Sequence, residues 1–325
     1  MKDQDLINLI QYAIKAPSVH NSQPWKFKVE KNSITIFPDY ERIFPVADPD
    51  NHELFISLGC ALENLIISAG YFGYFSTVKM NMEVPYQESI RVELSSGNNK
   101  NYDQLFKNIE IRQSTRSKYN KALIPPVNIK KLNEAGNQDQ VLCLLYTKAF
   151  QIDPVIEITK KATVLKLSKK EFINELLQWI RFNTKSAKKT GDGIYSGAIG
   201  SPSVPKWLGK LFLNLALDPK REGRKDVNLL KNSSGILLFI AKENNKQAWV
   251  NLGRSFQRVA LTATSLDINY AHSNSACEDA PARKELGEIL QLNPEEQPLL
   301  IIRIGYSSKR PYSFRRPLKE VLIKD

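Results

Sequence analysis

One stretch of this chain occurs twice. Leu58-Gly59-Cys60-Ala61-Leu62-Glu63-Asn64-Leu65-Ile66-Ile67-Ser68-Ala69 can be laid on Leu252-Gly253-Arg254-Ser255-Phe256-Gln257-Arg258-Val259-Ala260-Leu261-Thr262-Ala263 at one constant offset. The Leu-Gly start, the apolar positions and the hydroxyl-Ala end all match, and Phe55 and Ile56 fall on Trp249 and Val250. Two amphipathic helices can agree this well by coincidence. Otherwise the chain holds two diverged copies of one unit, standing in for a two-fold dimer. A length of 325 residues accommodates two such units.

The helix and strand patterns place the copies. Leu6, Ile7, Ile10 and Ile14 mark one face of a first helix, which Pro17 ends. Trp25–Val29 and Ser33–Phe37 read as strands around the turn Glu30-Lys31-Asn32, and Val78–Val84 and Ile90–Leu94 as another pair. The polar stretch Ser95–Tyr102 marks a boundary, giving halves of 1–104 and 105–325. Residues 172–231 have no counterpart in the first half. This insertion begins as a helix around Leu176, Leu177, Trp179 and Ile180. It continues through the glycine-rich Gly191–Gly200 into a helix, Trp207–Leu217. Glycine-hinged insertions often close over a site, and passive surface excursions look similar.

Lys and Arg total 46 against 34 Asp and Glu, a net charge of +12. Residues 151–231 hold 16 basic and 8 acidic residues, so most of the surplus lies there. Such a region attracts anions, although a charge excess alone equally describes a solvated face. It contains no recognisable nucleic-acid reading motif, so no nucleic-acid partner is expected. Cys60, Cys143 and Cys277 are widely spaced, which argues against a disulfide framework or a zinc site and for a reducing compartment. His52 and His272 suggest no metal constellation. The N-terminus, Met-Lys-Asp-Gln-Asp, lacks the basic start of a secretory leader. The apolar runs Ile236–Ala241 and Leu299–Ile304 are far short of the ~20 residues of a membrane span. A cytoplasmic protein without a membrane partner is the expectation.

Three segments carry chemistry. In Ala16-Pro17-Ser18-Val19-His20-Asn21-Ser22-Gln23-Pro24-Trp25, Ser18, His20, Asn21 and Gln23 offer donors and acceptors between a helix and a strand. They could read the edge of a planar heterocycle, or could merely satisfy a turn. In Ile111-Arg112-Gln113-Ser114-Thr115-Arg116, a helix beginning nearby would bring Arg112, Ser114 and Arg116 together as a phosphate clamp. Tyr312-Ser313-Phe314-Arg315-Arg316-Pro317 adds two more cations. Either arginine cluster alone could be a solvated face. Cys277 could lie near the site or be a buried, inert thiol.

Together these segments resemble the FMN-dependent nitroreductase superfamily: Ala-Pro-Ser-x-x-Asn-Ser-Gln-Pro-Trp at 16–25, Arg-x-Ser-x-Arg at 112–116 and Arg-Arg-Pro-x-x-Glu-Val at 315–321. The resemblance covers most of the chain except residues 150–232. It implies an α+β nitroreductase-like fold, its central sheets flanked by helices and its two fused copies forming an intramolecular pseudo-dimer. It also implies FMN as cofactor, NAD(P)H as reductant and a small nitro- or quinone-like acceptor. Ser18, His20, Asn21 and Gln23 would then lie at the flavin, and Arg112, Ser114, Arg116 and Arg315 or Arg316 at its phosphate.

The order of the motifs adds to this. In ordinary homodimeric members the phosphate turn precedes the Pro-Ser loop within one copy. Here residues 1–16 contain no Arg, and no Pro-Ser-x-x-Asn loop follows residue 116 before the insertion. One chain therefore holds the parts of a single site, half from each copy, and resembles the tandem, lid-bearing Acg-like branch. In that branch the lid can cover the flavin, so a flavin-binding or storage role stands as the alternative to oxidoreduction. On this reading Gly191–Gly200 lies over or beside the flavin, and Trp207 with the helix after it anchors the insertion.

Overall fold

A computed structural model describes residues 3–97, 102–138 and 140–323. Residues 98–101, within the expected boundary, lie outside it, as do Met1 and Lys2 of the N-terminal reading. The fold is α+β. Strands β1 (Trp25–Glu30), β2 (Ser33–Pro38), β3 (Tyr74–Asn81) and β4 (Ser89–Ser96) form an antiparallel sheet in the order β1-β2-β4-β3. A second antiparallel sheet joins β5 (Val141–Tyr146), β8 (Gly235–Ala241), β10 (Gln297–Gly305) and β9 (Asn269–His272) in that order. Between β5 and β8 in sequence, β6 (Ile180–Arg181) and β7 (Ile194–Tyr195) form a small parallel pair.

The first sheet alternates as a half-buried sheet should. Trp25, Phe27, Ile34, Ile36, Ile90 and Val92 face the core, while Arg91 pairs with Glu30 at 2.5 Å on the other face. Helices α1 (Asp3–Ala13) and α2 (His52–Tyr71) cover the apolar face. The third strand starts earlier than its apolar run suggests. Tyr74 pairs with Ser96 and Asn81 with Ser89, so ladder pairing outweighs hydropathy at its ends. β8 is buried at every position because both faces of the second sheet are covered. Leu237 and Phe239 pack toward α4 (Pro126–Gly136) and α10 (Lys246–Ser265), after the short α3 (Asp103–Phe106). Ile236 and Leu238 pack toward α5 (Ala149–Leu167) and α12 (Ala280–Ile289), with α11 (Ser275–Glu278) beside them.

The repeated segments are α2 and α10, and they cross each other. A Cβ at Gly59 would overlap the Val250 carbonyl oxygen, and one at Gly253 would overlap that of Ile56. These are equivalent contacts, since Gly59 matches Gly253 and Ile56 matches Val250 in the repeat. Farther along, Glu63 pairs with Arg258 at 2.6 Å, and Gln257 Nε2 donates to Asn64 Oδ1 at 2.6 Å. Again the positions exchange. α2 is long and apolar enough by composition to cross a membrane, a length the apolar runs did not reveal, yet 94% of its apolar window is buried in the protein.

The insertion contains α6 (Lys170–Trp179), α7 (Thr184–Thr190), α8 (Lys206–Ala216) and α9 (Pro219–Lys231). α6 docks on the segment between β2 and α2: Glu175 accepts from the Val46 and Ala47 amides at 3.0 and 2.9 Å, and Trp179 packs on Phe44. After β10 the tail crosses back. It passes through α13 (Leu318–Val321) to β1, where the Ile323 amide donates to Phe27 O at 2.8 Å.

Candidate functional site

The loop after α1 is held in an unusual shape. His20, Asn21 and Gln23 all have positive φ, at 47°, 56° and 54°. Such conformations cost roughly 1–3 kcal/mol each and persist only where surroundings impose them. Here Ser18 Oγ accepts from the Gln23 amide at 2.9 Å. Asn21 Nδ2 donates to Phe314 O at 3.1 Å and Gly193 O at 3.2 Å, and the Gly193 amide returns a bond to Asn21 O. Gln23 donates to Gly191 O at 2.8 Å and accepts from the Arg316 amide at 2.9 Å. Loop, insertion and tail thus hold one another. Gly193 itself has φ of 78°, and a Cβ there would strike the Trp179 carbonyl oxygen.

The Arg-x-Ser-x-Arg segment differs from expectation: it is extended and begins no helix. Ser114 forms a parallel bridge with Tyr270, and the Thr115 amide donates to Tyr270 O at 2.8 Å, so strand β9 captures the segment. Arg112 is buried, donating to the Tyr270 hydroxyl and, at 3.0 Å, to Lys15 O. Its Nε has no partner. Arg116 has neither hydrogen bond nor ion pair among the described residues, and the Ser114 hydroxyl likewise has none.

Two cavities meet at this place. The first, of about 80 Å³, is lined by Ser18, His20, Asn21, Arg112, Ser114, Arg116 and Arg315, with His272 and the insertion's Gly193, Ile194 and Ala198. The second, of about 230 Å³, shares Pro17, Ser18, His20, Arg116 and His272, and extends to Glu53, Cys60, Lys166, Asn274 and Glu278. Three guanidiniums and no carboxylate line the first cavity. Burial and the charge of Arg112 bring the Arg315 guanidinium down to about 9. Burial, with Arg116 and Arg112 nearby, pushes His272 down to about 3. Burial pushes His20 down to about 4 against the pull of Glu278, and its Nδ1 is buried without a partner. Both imidazoles are neutral at pH 7, leaving guanidiniums as the source of a strongly positive cavity.

The other sequence candidates have different surroundings. Arg315 reaches the first cavity, but its donors close the end of the first helical segment at Ile14, Lys15 and Ala16, and meet Asn21 Oδ1 at 2.9 Å. Arg316 and Gln23 line neither cavity; Arg316 donates to Gln23 O at 3.0 Å and pairs with Asp39 at 3.3 Å. Gly191–Gly200 does border the first cavity. Trp207 does not anchor the insertion, because it is 69% exposed. The anchors are Trp179 on Phe44 and Asp192, which pairs with Arg42 and, at 2.6 Å, with Arg181.

Sequence reasoning missed Tyr270, His272, Glu53, Lys166, Asn274 and Glu278. In the second cavity Lys166 pairs with Glu278, and Asn274 Nδ2 donates to Glu53 Oε1 at 2.6 Å. Burial, with Glu278 and Asp48 nearby, raises the Glu53 carboxyl to about 8. One signal for β9 existed: the repeat offset carries Asn269–His272 onto residues of β3. Cys277 is buried and lines neither cavity, while Cys60 lines the second.

Asp48, Asp50 and His52 do bring three potential ligand atoms within 4.8 Å, contrary to the reading that His52 has no such company. Asp48 accepts from the Glu53 and Leu54 amides at 3.1 and 3.0 Å, and Asp50 pairs with Arg283 at 2.9 Å. The cluster caps α2, with His52 Nδ1 2.5 Å from Asp50.

No family model matches the chain. Among curated proteins it is 22% identical over 334 residues to "Putative NAD(P)H nitroreductase Rv3131" of Mycobacterium tuberculosis (strain ATCC 25618 / H37Rv), covering 97% of this chain and 90% of that protein. Over nearly its whole length the chain is thus similar to a protein named as a nitroreductase, in keeping with its resemblance to the nitroreductase superfamily. Its similarity to the Acg-like branch of that superfamily includes a segment 30% identical over 70 residues to "Putative NAD(P)H nitroreductase acg" of the same strain, 22% of this chain and 21% of that protein. Among solved structures, a nitroreductase with bound FMN from Desulfitobacterium hafniense aligns at 12% identity and a TM-score of 0.42, covering 69% of this chain and 98% of that one.

Proposed function

We propose that this chain is a member of the nitroreductase superfamily that binds one FMN and works as an oxidoreductase, passing hydride from NAD(P)H to a small nitro- or quinone-like acceptor. The observation that carries this reading is the cavity where Arg112, Arg116 and Arg315 converge with no carboxylate among its lining residues. An unpartnered Arg116, a Ser114 hydroxyl without a bond and the orphaned Nε of buried Arg112 suit a phosphate. The donor set therefore fits a phosphorylated flavin better than riboflavin.

When bound, FMN would supply the two-electron carrier between pyridine nucleotide and acceptor. Arg112, Ser114, Arg116 and Arg315 would hold its phosphate. Ser18 and His20, which border both cavities, would lie along the rest of the cofactor. Neutral His20 offers a hydrogen bond and adds no charge. Asn21, Gln23 and Arg316 act one step back, holding the loop on the insertion and tail. One half of the chain brings the loop and the other the arginines, consistent with a tandem pseudo-dimer of residues 1–104 and 105–325 around one site. The reciprocal contacts of α2 and α10 support that arrangement.

A second reading is favoured by the insertion's grip on the loop: a flavin-storing protein whose residues Gly191–Gly200 keep substrates out. Anaerobic mixing with NADH and with NADPH separates the two. Loss of the oxidised flavin band supports oxidoreduction, and a band that persists with both nucleotides supports storage. A chain purified without flavin, and unable to take up FMN, would end both readings.

A further inference from the structure

Helix α8 leaves an apolar face unpartnered. Trp207, Phe212 and Leu215 are 69%, 70% and 78% exposed, with Leu208 and Leu211 exposed between them. At 100° per residue these five side chains share one side of the helix. Among the helix residues whose side chains are described, only Gly209 is buried, against the Phe182 ring. An apolar face of this kind on a surface helix marks an interaction site.

The charge around the face selects its occupant. From Gly193 to Leu217 the chain has no Asp or Glu. Lys206 and Lys210 lie on α8 itself, and Lys185, Lys188 and Lys189 on α7. The Asn183 cap of α7 donates to Val204 O at 3.1 Å, and the Val204 amide donates to Phe182 O at 2.9 Å, so the starts of the two helices are joined. None of these five lysines forms an ion pair among the described residues. Trp, Phe and Leu on one face with unneutralised lysines beside them form the pattern of a helix that lies in the interface of an anionic bilayer. A second copy of this chain suits the face poorly, since it would set the same lysines against one another.

We propose that α8 docks this protein onto a membrane surface carrying anionic lipid, lying in the interface without spanning the bilayer. The sequence expectation of no membrane partner rested on the lengths of the apolar runs, which speak only to spanning, and this proposal departs from it. The proposal is independent of the flavin reading.

Co-sedimentation of the full chain with phosphatidylcholine vesicles, and with vesicles of phosphatidylcholine and phosphatidylserine, tests it. Binding is expected to the mixed vesicles, weakening as salt rises. Lys206→Glu with Lys210→Glu should weaken it by at least about tenfold, taking roughly 1 kcal/mol per lysine near a charged surface. Phe212→Ser with Leu215→Ser should abolish it. All four positions are exposed, so these chains should keep the parent melting temperature. Failure to bind either vesicle overturns the proposal, as does binding that both double variants leave unchanged. So does finding that the apolar residues mediate self-association while vesicles are ignored.

Discussion

Arg116 and Arg112 sit four residues apart, yet their surroundings assign them different work. Arg112 is tied to Tyr270 and Lys15, so its loss would disturb the packing of β9 as well as any ligand. Arg116 supports no described part of the fold. Arg116→Ala should therefore weaken FMN retention by about one to two powers of ten, the size of a charge-assisted bond, while riboflavin retention and melting temperature barely change. Equilibrium dialysis with the two flavins checks this; equal losses would remove Arg116 from the phosphate. The cavity histidines give a pH signature. His272 titrates at about 3 when folded against an ordinary value of 6.5, so the folded chain binds fewer protons across that window. Stability contributed by neutral His272 is present above pH 6.5 and is lost as pH falls toward 3, by at most ~1.4 kcal/mol per pH unit. His20 adds to the trend, while Glu53, raised to about 8, opposes it above pH 4.5. The test is therefore a difference: denaturant unfolding should fall less steeply between pH 6.5 and 4 for His272→Gln than for the parent.

At the scale of elements, the insertion is fastened where Arg42, between β2 and α2, meets Asp192. Asp192 is buried between Arg42 and Arg181, and those cations hold its carboxyl below the usual range despite burial. Breaking a buried pair by removing one partner typically costs 3–5 kcal/mol, so Asp192→Ala should loosen Gly191–Gly200 ahead of global unfolding. Amide hydrogen exchange should rise in residues 180–200 while α2 and α10 stay protected. An even rise everywhere would make Asp192 part of the general core. The segments that were legible in the sequence are those whose partners lie nearby: α1 up to Pro17, the β1–β2 hairpin and the polar loop after Pro17. Arg-x-Ser-x-Arg was misread as helical because its partner, Tyr270, is far along the chain and local spacing cannot report it. Trp207 was misread as an anchor for a related reason. Amphipathic spacing gives a helix an apolar face but does not say whether anything covers it. Glu53 and Glu278 were invisible as cavity residues, since only the crossing of distant elements encloses them.

At the scale of the molecule, the cavity draws its loop from residues 17–21, two arginines from residues 112–116 and a third from the returning tail at residues 311–315. No such set recurs elsewhere in the sequence. Titrating the apo chain with FMN should saturate at one flavin per chain, measured by flavin absorbance against protein mass. A value near two would mean a second site and would undo the single-cavity reading.

The α2–α10 crossing has a further consequence. Were the two helices identical gene products, any substitution at their contact would be made twice, and both sides of the axis would have to accept it. Here the sides are encoded separately. One carries the ion pair Glu63–Arg258 and the other, at the exchanged positions, the neutral pair Asn64–Gln257. No homodimer could hold that combination. The glycines, where each backbone presses on its neighbour, match, as do Leu58 with Leu252 and Ala69 with Ala263, while the charged and amide positions have diverged. A single chain that packs two alike helices in this way can change one side of the crossing without any mutation having to serve both.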